Sequence, residues 1–450
     1  MRKLFGTDGI RAVAGEAPLD PRTIHAIGIA VAHSLKEQFP SPRIILGSDT
    51  RESSAWIAAV ITAGLEQGDA TVANAGIITT PGIAFLARKH KLAAGIVISA
   101  SHNPWQDNGI KIFGGDGFKL PDETELRIED EIFRRLEHSN GTPDPESLSA
   151  PAVDHRFRAE YEEFLRSVVP GLNLGGKKLV IDCANGAASA IAPDIFNALG
   201  GEVHFINVNP SGRNINDNCG ALHPEIVAAA TTERKADLGV TFDGDADRAL
   251  FAEANGKVVN GDAVLLLAAR DLQRRKLLRQ DIVVATTMSN MGLEAALKRD
   301  GIRMMRAPVG DKYVLEMMQK HRAALGGEQS GHFLFPHLAT TGDGLLTAMV
   351  VLDIVRRSGK PLHELIADLK VFPQAIVNVR VREKRPLDEF PAIVQAIRDA
   401  ETDLLGNGRV VVRYSGTEAL ARVMIEAESE DSMRRHADRI ATAIRNELGV

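Results

Sequence analysis

The feature that most constrains this 450-residue chain is a recurring unit: a short apolar strand runs into a turn of glycine and polar residues, and a helix follows. "RIILGSD" (Arg43 to Asp49), "GIVIS" (Gly95 to Ser99), "KLVIDCANG", "DLGVTFDGDADR" and "IVVATT" (Ile282 to Thr287) all follow it. Helical spacing of apolar residues predicts helices at Arg22 to Phe39, Glu123 to Glu137, Asp262 to Leu278 and Asp343 to Arg357. Such alternation builds α/β units, whose ligands collect at the carboxyl edge of the sheet. A single core stops growing at roughly 250 to 300 residues, so several domains are expected. The Pro-, Ser- and Gly-rich run His138 to Pro151 marks a first boundary. The expected units are 1–148, 149–248, 249–370 and 371–450. The last unit differs, with strands at "AIVNVRV", "RVVVRYSG" and "ALARVMIEAE" between helices. In its final helix Met433, Ala437, Ile440, Ile444 and Leu448 form an apolar stripe suited to one sheet face.

Composition removes several classes of function. Hydrophobic residues at 44% and charged ones at 25% are the balance of a soluble globular protein. A net charge of -6 leaves no electrostatic footprint for nucleic acid. Two cysteines, Cys183 and Cys219, can build neither a disulfide framework nor a structural zinc site, which fits a reducing cytoplasm. The opening residues carry two positive charges with no apolar core behind them, so no secretory signal is expected. The most apolar run, Gly344 to Val355, is interrupted by Asp353 and is shorter than the roughly 20 residues a bilayer requires.

Four stretches could carry chemistry. In "TFDGDADRA" the carboxylates of Asp243, Asp245 and Asp247 would project to one side of an extended segment, with Gly244 letting it curl around a cation. Hard oxygen ligands without His or Cys favour Mg²⁺ over zinc, and three like charges so close need a cation to neutralise them. "SASHNP" ends a core strand at Ser101, His102 and Asn103: either punctuation, or a hydroxyl delivered to the sheet edge. "GGEQSGHFLF" gathers Glu328, Gln329, Ser330 and His332 between glycines: either a plain glycine-rich turn, or donors and acceptors suited to a polyhydroxyl ligand. "RYSGTEALAR" sets Arg413 and Arg422 around Ser415, Gly416 and Thr417, the inventory of a phosphate site or a plain strand-to-turn with surface arginines.

In order, "FGTDGIR" (Phe5 to Arg11), "ISASHNP", "DGDADR", "GEQSGH" and "RYSGTEALAR" resemble the α-D-phosphohexomutase superfamily over nearly the whole chain. The resemblance implies an α/β protein of four domains around a central cleft: three related mixed α/β domains and a smaller C-terminal α+β domain of the TATA-binding-protein-like type. It implies phosphorylation of Ser101, and one Mg²⁺ held by that phosphoserine with Asp243, Asp245 and Asp247. Arg11, Lys111 and Arg248 match basic residues near the transferred phosphate. His102 flanks the serine, and His332 matches a candidate proton shuttle. Glu328 and Ser330 match the sugar-binding loop, while Arg413, Ser415, Gly416, Thr417 and Arg422 match the loop holding the phosphate that does not react. Tyr414 and Ala419 stand where the family often has proline.

The implied activity interconverts glucosamine 6-phosphate and glucosamine 1-phosphate through a 1,6-bisphosphate, primed by a hexose 1,6-bisphosphate and feeding UDP-N-acetylglucosamine synthesis. "APVGDKYV" (Ala307 to Val314) resembles this amino-sugar branch more than the phosphomannomutase/phosphoglucomutase branch, in which a histidine commonly stands where Asp311 does. That second branch and a Mg²⁺-dependent sugar phosphatase are the alternatives. A small sugar phosphate is the expected partner, with neither nucleic acid nor membrane, and the resemblance also allows a homodimer.

Overall fold

In this computed structural model the described residues are 4–6, 8–138, 141, 143–414 and 419–450. Among them the strands form four sheets. The first contains β1 (Ile10–Val13), β2 (Arg43–Ser48), β3 (Thr71–Ile77), β4 (Ala94–Ile98) and β5 (Asp107–Gly114), in the order β1-β5-β4-β2-β3. Here β3, β2 and β4 run parallel, and β5 returns antiparallel beside β4. The second contains β6 (Lys178–Asp182), β7 (Glu202–Ile206), β8 (Leu238–Phe242), β9 (Ala249–Glu253) and β10 (Val258–Val259), ordered β10-β9-β8-β6-β7. Its pattern is the same: β7, β6 and β8 are parallel, and β9 returns antiparallel on β8. In the third, β11 (Ile282–Thr286), β12 (Arg303–Ala307), β13 (Gly326–Gly327) and β14 (Phe333–Leu334) are ordered β12-β11-β13-β14, with β11 and β13 parallel and β14 antiparallel to β13.

This repetition decides where the chemistry lies. In each sheet the change from parallel to antiparallel pairing falls at one loop, which follows β4, follows β8, or joins β13 to β14. Those three equivalent loops carry Ser101, the Asp243–Asp247 run and Glu328–His332. The strands that deliver the first two, β4 and β8, are buried at every position, as parallel strands covered by helices must be.

Helices form where the apolar spacing predicts. Pro21–Lys36 starts after Asp20, whose side chain accepts a hydrogen bond from Thr23 N at 3.0 Å, and it buries Ile24, Ile27 and Val31. It lies so close to helix Ser54–Gln67 that a Cβ on Gly28 would fall 2.5 Å from the Ile61 carbonyl oxygen. Gly344–Ser358, the apolar run of the sequence, is a buried helix.

One expected boundary fails. The second unit does not end at Arg248, because Ala249 to Glu253 pairs with β8 as its return strand, and β10 closes the same sheet. The aspartate-rich turn is the inside of a hairpin rather than the end of a unit.

The fourth sheet is antiparallel: β15 (Gln374–Arg380), β16 (Gly408–Tyr414) and β17 (Leu420–Ala427), ordered β15-β17-β16. Helices Pro391–Asp403 and Glu430–Leu448 cover one face, and Val379, Val423, Ile425, Ile393, Ile440 and Ile444 make the core. Met433, Ala437 and Leu448 of the expected stripe join them.

Two compact units result: Met1–Thr287 with Met305–Leu365, and Met288–Met304 with Ile366–Val450. The second departs from the expected 371–450 because it takes in helix Met291–Arg299. The reason is polar. Asn290, at the cap of that helix, accepts from Gly292 N at 2.9 Å and Phe372 N at 2.8 Å, and donates to the Phe372 carbonyl at 3.0 Å. Met291 N donates to the buried Glu426 at 3.0 Å, and Arg409 donates to Glu426 at 2.6 Å and to the Ser289 carbonyl at 3.1 Å. Asn290→Ala leaves buried backbone groups of Phe372 unsatisfied and removes the cap, a loss of about 2 to 3 kcal/mol. Urea unfolding followed by circular dichroism should show an earlier transition for this unit.

Candidate active site

The three aspartates meet, but not as the alternation predicts. Residues 243–247 form a tight turn rather than an extended segment, and Ala246 has φ 54°. The turn itself, not a strand's period of two, aims the side chains together. One ligand atom from each of Asp243, Asp245 and Asp247 lies within 4.8 Å of the others, and all three residues are buried. The turn is tied down on several sides: Gly344 N donates to the Ala246 carbonyl at 2.9 Å, Ala187 N to Gly244 O at 2.8 Å, and Thr80 N to Asp245 O at 3.1 Å. Gly244 is required, because a Cβ there would lie 2.5 Å from the Ser101 carbonyl oxygen.

Ser101 therefore sits directly against this turn. Its φ of 53° is left-handed, a region where a residue with a Cβ is strained. Outside groups hold the conformation: Asn216 Nδ2 donates to the Ser101 carbonyl at 2.9 Å, and Arg51 donates to the same oxygen at 3.2 Å and to Asn103 O at 2.6 Å. Arg51 is itself fixed by a fully buried ion pair with Asp49. The hydroxyl of Ser101 donates to Asp243 Oδ2 at 2.6 Å and lies 3.4 Å from His102 Nδ1.

Electrostatics mark the trio as a cation site. Burial pushes the Asp243 carboxyl well above the usual range, and the charges of Asp247 and Asp245 push it further. Burial would also raise Asp247, but Lys111, His332 and Arg248 hold it well below its ordinary value. Lys111 is buried; Asp245 at 2.8 Å, Asp8 at 2.9 Å and Asp247 at 3.5 Å outweigh its desolvation and keep it protonated. Arg248 Nε lies 3.9 Å from both Asp243 and Asp247. The outer oxygens Asp245 Oδ1 and Asp247 Oδ1 are buried without a hydrogen-bond partner. Three converging carboxylates with orphaned oxygens and no soft donor fit Mg²⁺.

Beside the trio opens a cavity of about 390 Å³ lined by Asp8, Arg11, His102, Arg248, Glu328 and His332 with neighbouring backbone. Glu328 Oε1 accepts from Gly310 N at 3.0 Å, and Ser330, exposed, donates to Glu328 Oε2 at 3.4 Å. Ala249 N donates to Gly331 O at 2.9 Å, so the glycine loop is stitched to the strand leaving the aspartate turn. His332 faces Asp247 through Nδ1 and Asp311 through Nε2, both at 3.6 Å. Burial opposes its charge, but Asp247, Asp311 and Glu328 outweigh this and lift its pKa to about 9. His102 is pushed to about 4 by burial and by Arg248 and Arg11. Two histidines on one cavity are thus in opposite protonation states at neutral pH.

The structure brings together Arg11, Ser101, His102, Lys111, Asp243, Asp245, Asp247, Arg248, Glu328, Ser330 and His332 within the first unit. In the second unit Arg413 on β16 stands directly opposite Arg422 on β17. Ser415, Gly416 and Thr417 lie outside the described residues.

Family models described as phosphoglucomutase/phosphomannomutase alpha/beta/alpha domains I, II and III match residues 2–139, 160–256 and 260–372, and the C-terminal domain model matches 376–443. The chain belongs to the phosphoglucomutase/phosphomannomutase family. A phosphoglucosamine mutase of Koribacter versatilis is 58% identical over the whole of this chain and 98% of its own. Among solved structures, a member of the family from Burkholderia thailandensis superposes with a TM-score of 0.78 at 22% identity, covering 99% of both chains. The N-acetylphosphoglucosamine mutase of Aspergillus fumigatus, solved with GlcNAc-6P and magnesium, gives 0.65 at 20% identity over 99% of this chain and 96% of its own. The four-domain fold of this family is the one expected from the sequence, with mixed sheets and a small C-terminal sheet.

Several residues beside this candidate site carry no signal that sequence reasoning used. Asp8 stands inside "FGTDGIR", three residues before Arg11, and binds Arg11, Lys111 and Lys119. Thr80 donates its hydroxyl to Asp245. Asp343 caps helix Gly344–Ser358 by accepting from Leu346 N at 2.9 Å, and accepts from the buried Tyr161 hydroxyl at 2.8 Å. Burial raises Asp343 from 3.8 to about 6 despite these bonds. Because the folded value lies above the unfolded one, its contribution to stability is complete below pH 3.8 and lost as pH rises through 6. The loss by pH 7 is on the order of 3 kcal/mol. Asp343→Asn, which can still cap, should therefore be more stable than the native chain at pH 7 and lose that advantage by pH 4, as read by urea titration at both values.

Proposed function

We propose that this enzyme is a phosphoglucosamine mutase: phospho-Ser101 gives its phosphoryl group to glucosamine 6-phosphate, and the 1,6-bisphosphate formed returns the other phosphoryl group. The observation that carries the chemistry is the Ser101 hydroxyl, 2.6 Å from Asp243 at the edge of three converging carboxylates. A binding-only protein needs no such hydroxyl. The choice of sugar is supported by the 58% identical phosphoglucosamine mutase, alike over its whole length.

In the first transfer the sugar's O1 attacks phosphorus, the bond from phosphorus to Ser101 Oγ breaks, and the O1 proton leaves to a base. After the bisphosphate turns end for end, Ser101 Oγ attacks the 6-phosphoryl phosphorus, the bond from phosphorus to the sugar's O6 breaks, O6 takes up a proton, and glucosamine 1-phosphate remains. Asp243, Asp245 and Asp247, with an oxygen of the phosphoserine, would hold Mg²⁺, which when bound offsets charge on the transferring group. Arg11, Lys111 and Arg248 surround that position and place positive charge toward the phosphoryl oxygens. Lys111 is fixed by Asp8 and Asp245, so it reaches its role without reorganisation. His102 and His332 lie on the cavity where a proton must leave and enter. Glu328, held by Gly310 N, and Ser330 present acceptors and a donor to ring hydroxyls. Arg413 and Arg422, with Ser415, Gly416 and Thr417 between them in sequence, form the clamp for the phosphate that does not react.

A hexose 1,6-bisphosphate primes unphosphorylated chains, and the product supplies UDP-N-acetylglucosamine synthesis. A cytoplasmic setting and a homodimer belong to the same reading. Two buried cysteines support the first, and light scattering tests the second. Among the described residues no helix is long and apolar enough to cross a membrane.

With Mg²⁺ and the primer, a coupled assay should show glucosamine 1-phosphate formed faster than the corresponding mannose and glucose products. Ser101→Ala should lower that rate at least about 1,000-fold. Chelation should abolish activity, and added Mg²⁺ should restore it. Preference for mannose or glucose phosphate would move the assignment to the other branch, and release of inorganic phosphate in step with substrate loss would make it a phosphatase.

A further inference from the structure

Around the cavity six side chains of alternating charge close a ring. Asp247 lies 3.6 Å from His332, whose other nitrogen is 3.6 Å from Asp311. Asp311 is 2.6 Å from Lys119 Nζ, and Lys119 Nζ is 2.6 Å from Asp8 Oδ1. Asp8 Oδ2 is 2.9 Å from Lys111, which returns to Asp247 at 3.5 Å. The members come from five separate places: the N-terminal loop, β5 and the turn after it, the aspartate turn, the glycine loop, and the start of helix Asp311–His321. Of the ring's three cations, Lys111 and His332 touch the converging aspartates and Lys119 does not, yet it has a carboxylate on each side.

We propose that Lys119 is a positioning residue for phosphoryl transfer, acting through Asp311 on His332 and through Asp8 on Lys111. The inference rests on the phosphohexomutase reading of the site for its kinetic consequence, though not for its geometry. The physical reason is the sharing of one cation between two carboxylates. Without the ammonium group, Asp8 is left to Lys111 and Arg11, and Asp311 is left to His332 at 3.6 Å and the Lys312 backbone N–H at 2.9 Å. Both shifts move groups that border the reacting phosphoryl position. The location also favours positioning over simple support, since Asp311 lines the 390 Å³ cavity as well as a larger hollow of about 790 Å³ on its other side. The bond from Lys119, itself at the edge of the larger hollow, is the short charged contact that holds the Asp311 carboxylate in place between them.

The test uses the full-length phosphorylated chain with Mg²⁺ and glucosamine 6-phosphate. Lys119→Met should lower kcat by about 30- to 100-fold while KM stays within about threefold, the split expected when reacting groups are misplaced but the sugar still binds. Lys119→Arg should recover most of kcat. Because Lys119 acts in part through Asp311, adding Lys119→Met to Asp311→Asn should cost less than it does alone. In chains with ¹⁵N-labelled histidine, Lys119→Met should shift the His332 ring resonances, assigned through His332→Gln. A folded Lys119→Met chain with kcat within about twofold of native, or two substitutions whose effects multiply, would overturn the proposal. If Lys119→Met does not fold, Asp311→Asn carries the test: unmoved His332 resonances there break the link. A native chain without mutase activity would sink the functional reading instead, and the ring would then stand or fall on the His332 resonances alone.

Discussion

Everything at this site answers one electrostatic demand: three carboxylates are buried within 4.8 Å of one another. Left alone, such a cluster would either take up protons or unfold the loops that hold it. The neighbourhood supplies opposing charge from several chain segments, with Lys111 closest and His332 and Arg248 just beyond. Orphaned oxygens on Asp245 and Asp247 leave room for one more cation. The serine turn, the glycine loop and the N-terminal loop are each tied to this charge, so the cavity and its lining form one electrostatic unit rather than a set of independent side chains.

The repeated topology explains why so few residues suffice. One α/β plan occurs three times, and each copy donates the loop at which parallel pairing gives way to antiparallel. A hydroxyl, a set of carboxylates and a polar glycine loop are thereby placed by the same geometric rule. The rule also accounts for strain at Ser101: its left-handed turn brings its oxygen to the neighbouring copy's loop, and Asn216 and Arg51 hold it there from outside.

Much of this was legible in the sequence because strands ending in polar turns announce themselves. The serine turn, the aspartate run, the glycine loop and the arginine pair could all be read from their local chemistry. Their convergence could not, since the distance between Ser101 and Asp243 depends on how two sheets pack. The aspartates that the alternation predicts do converge, but through a tight turn with Ala246 at positive φ rather than through an extended segment. Asp8 lies inside "FGTDGIR" but nothing local marks its role, and a lone lysine in "GFKL" looks like any surface residue until Asp8 and Asp311 meet it. The boundary drawn after Arg248 failed for a related reason, because a polar turn inside a hairpin resembles a linker when its partner strand is unseen.

The placement of helix Met291–Arg299 bears on how such a chain can be rearranged. Its compact C-terminal unit is not one contiguous stretch, because the backbone enters it at Met288, leaves after Met304 and enters again at Ile366. Recombination at a single crossover near residue 370 would separate Asn290 from Phe372 and Met291 from Glu426. Exchange of this unit between relatives therefore demands that two distant pieces of gene travel together, or that the incoming sequence already match the helix it must receive.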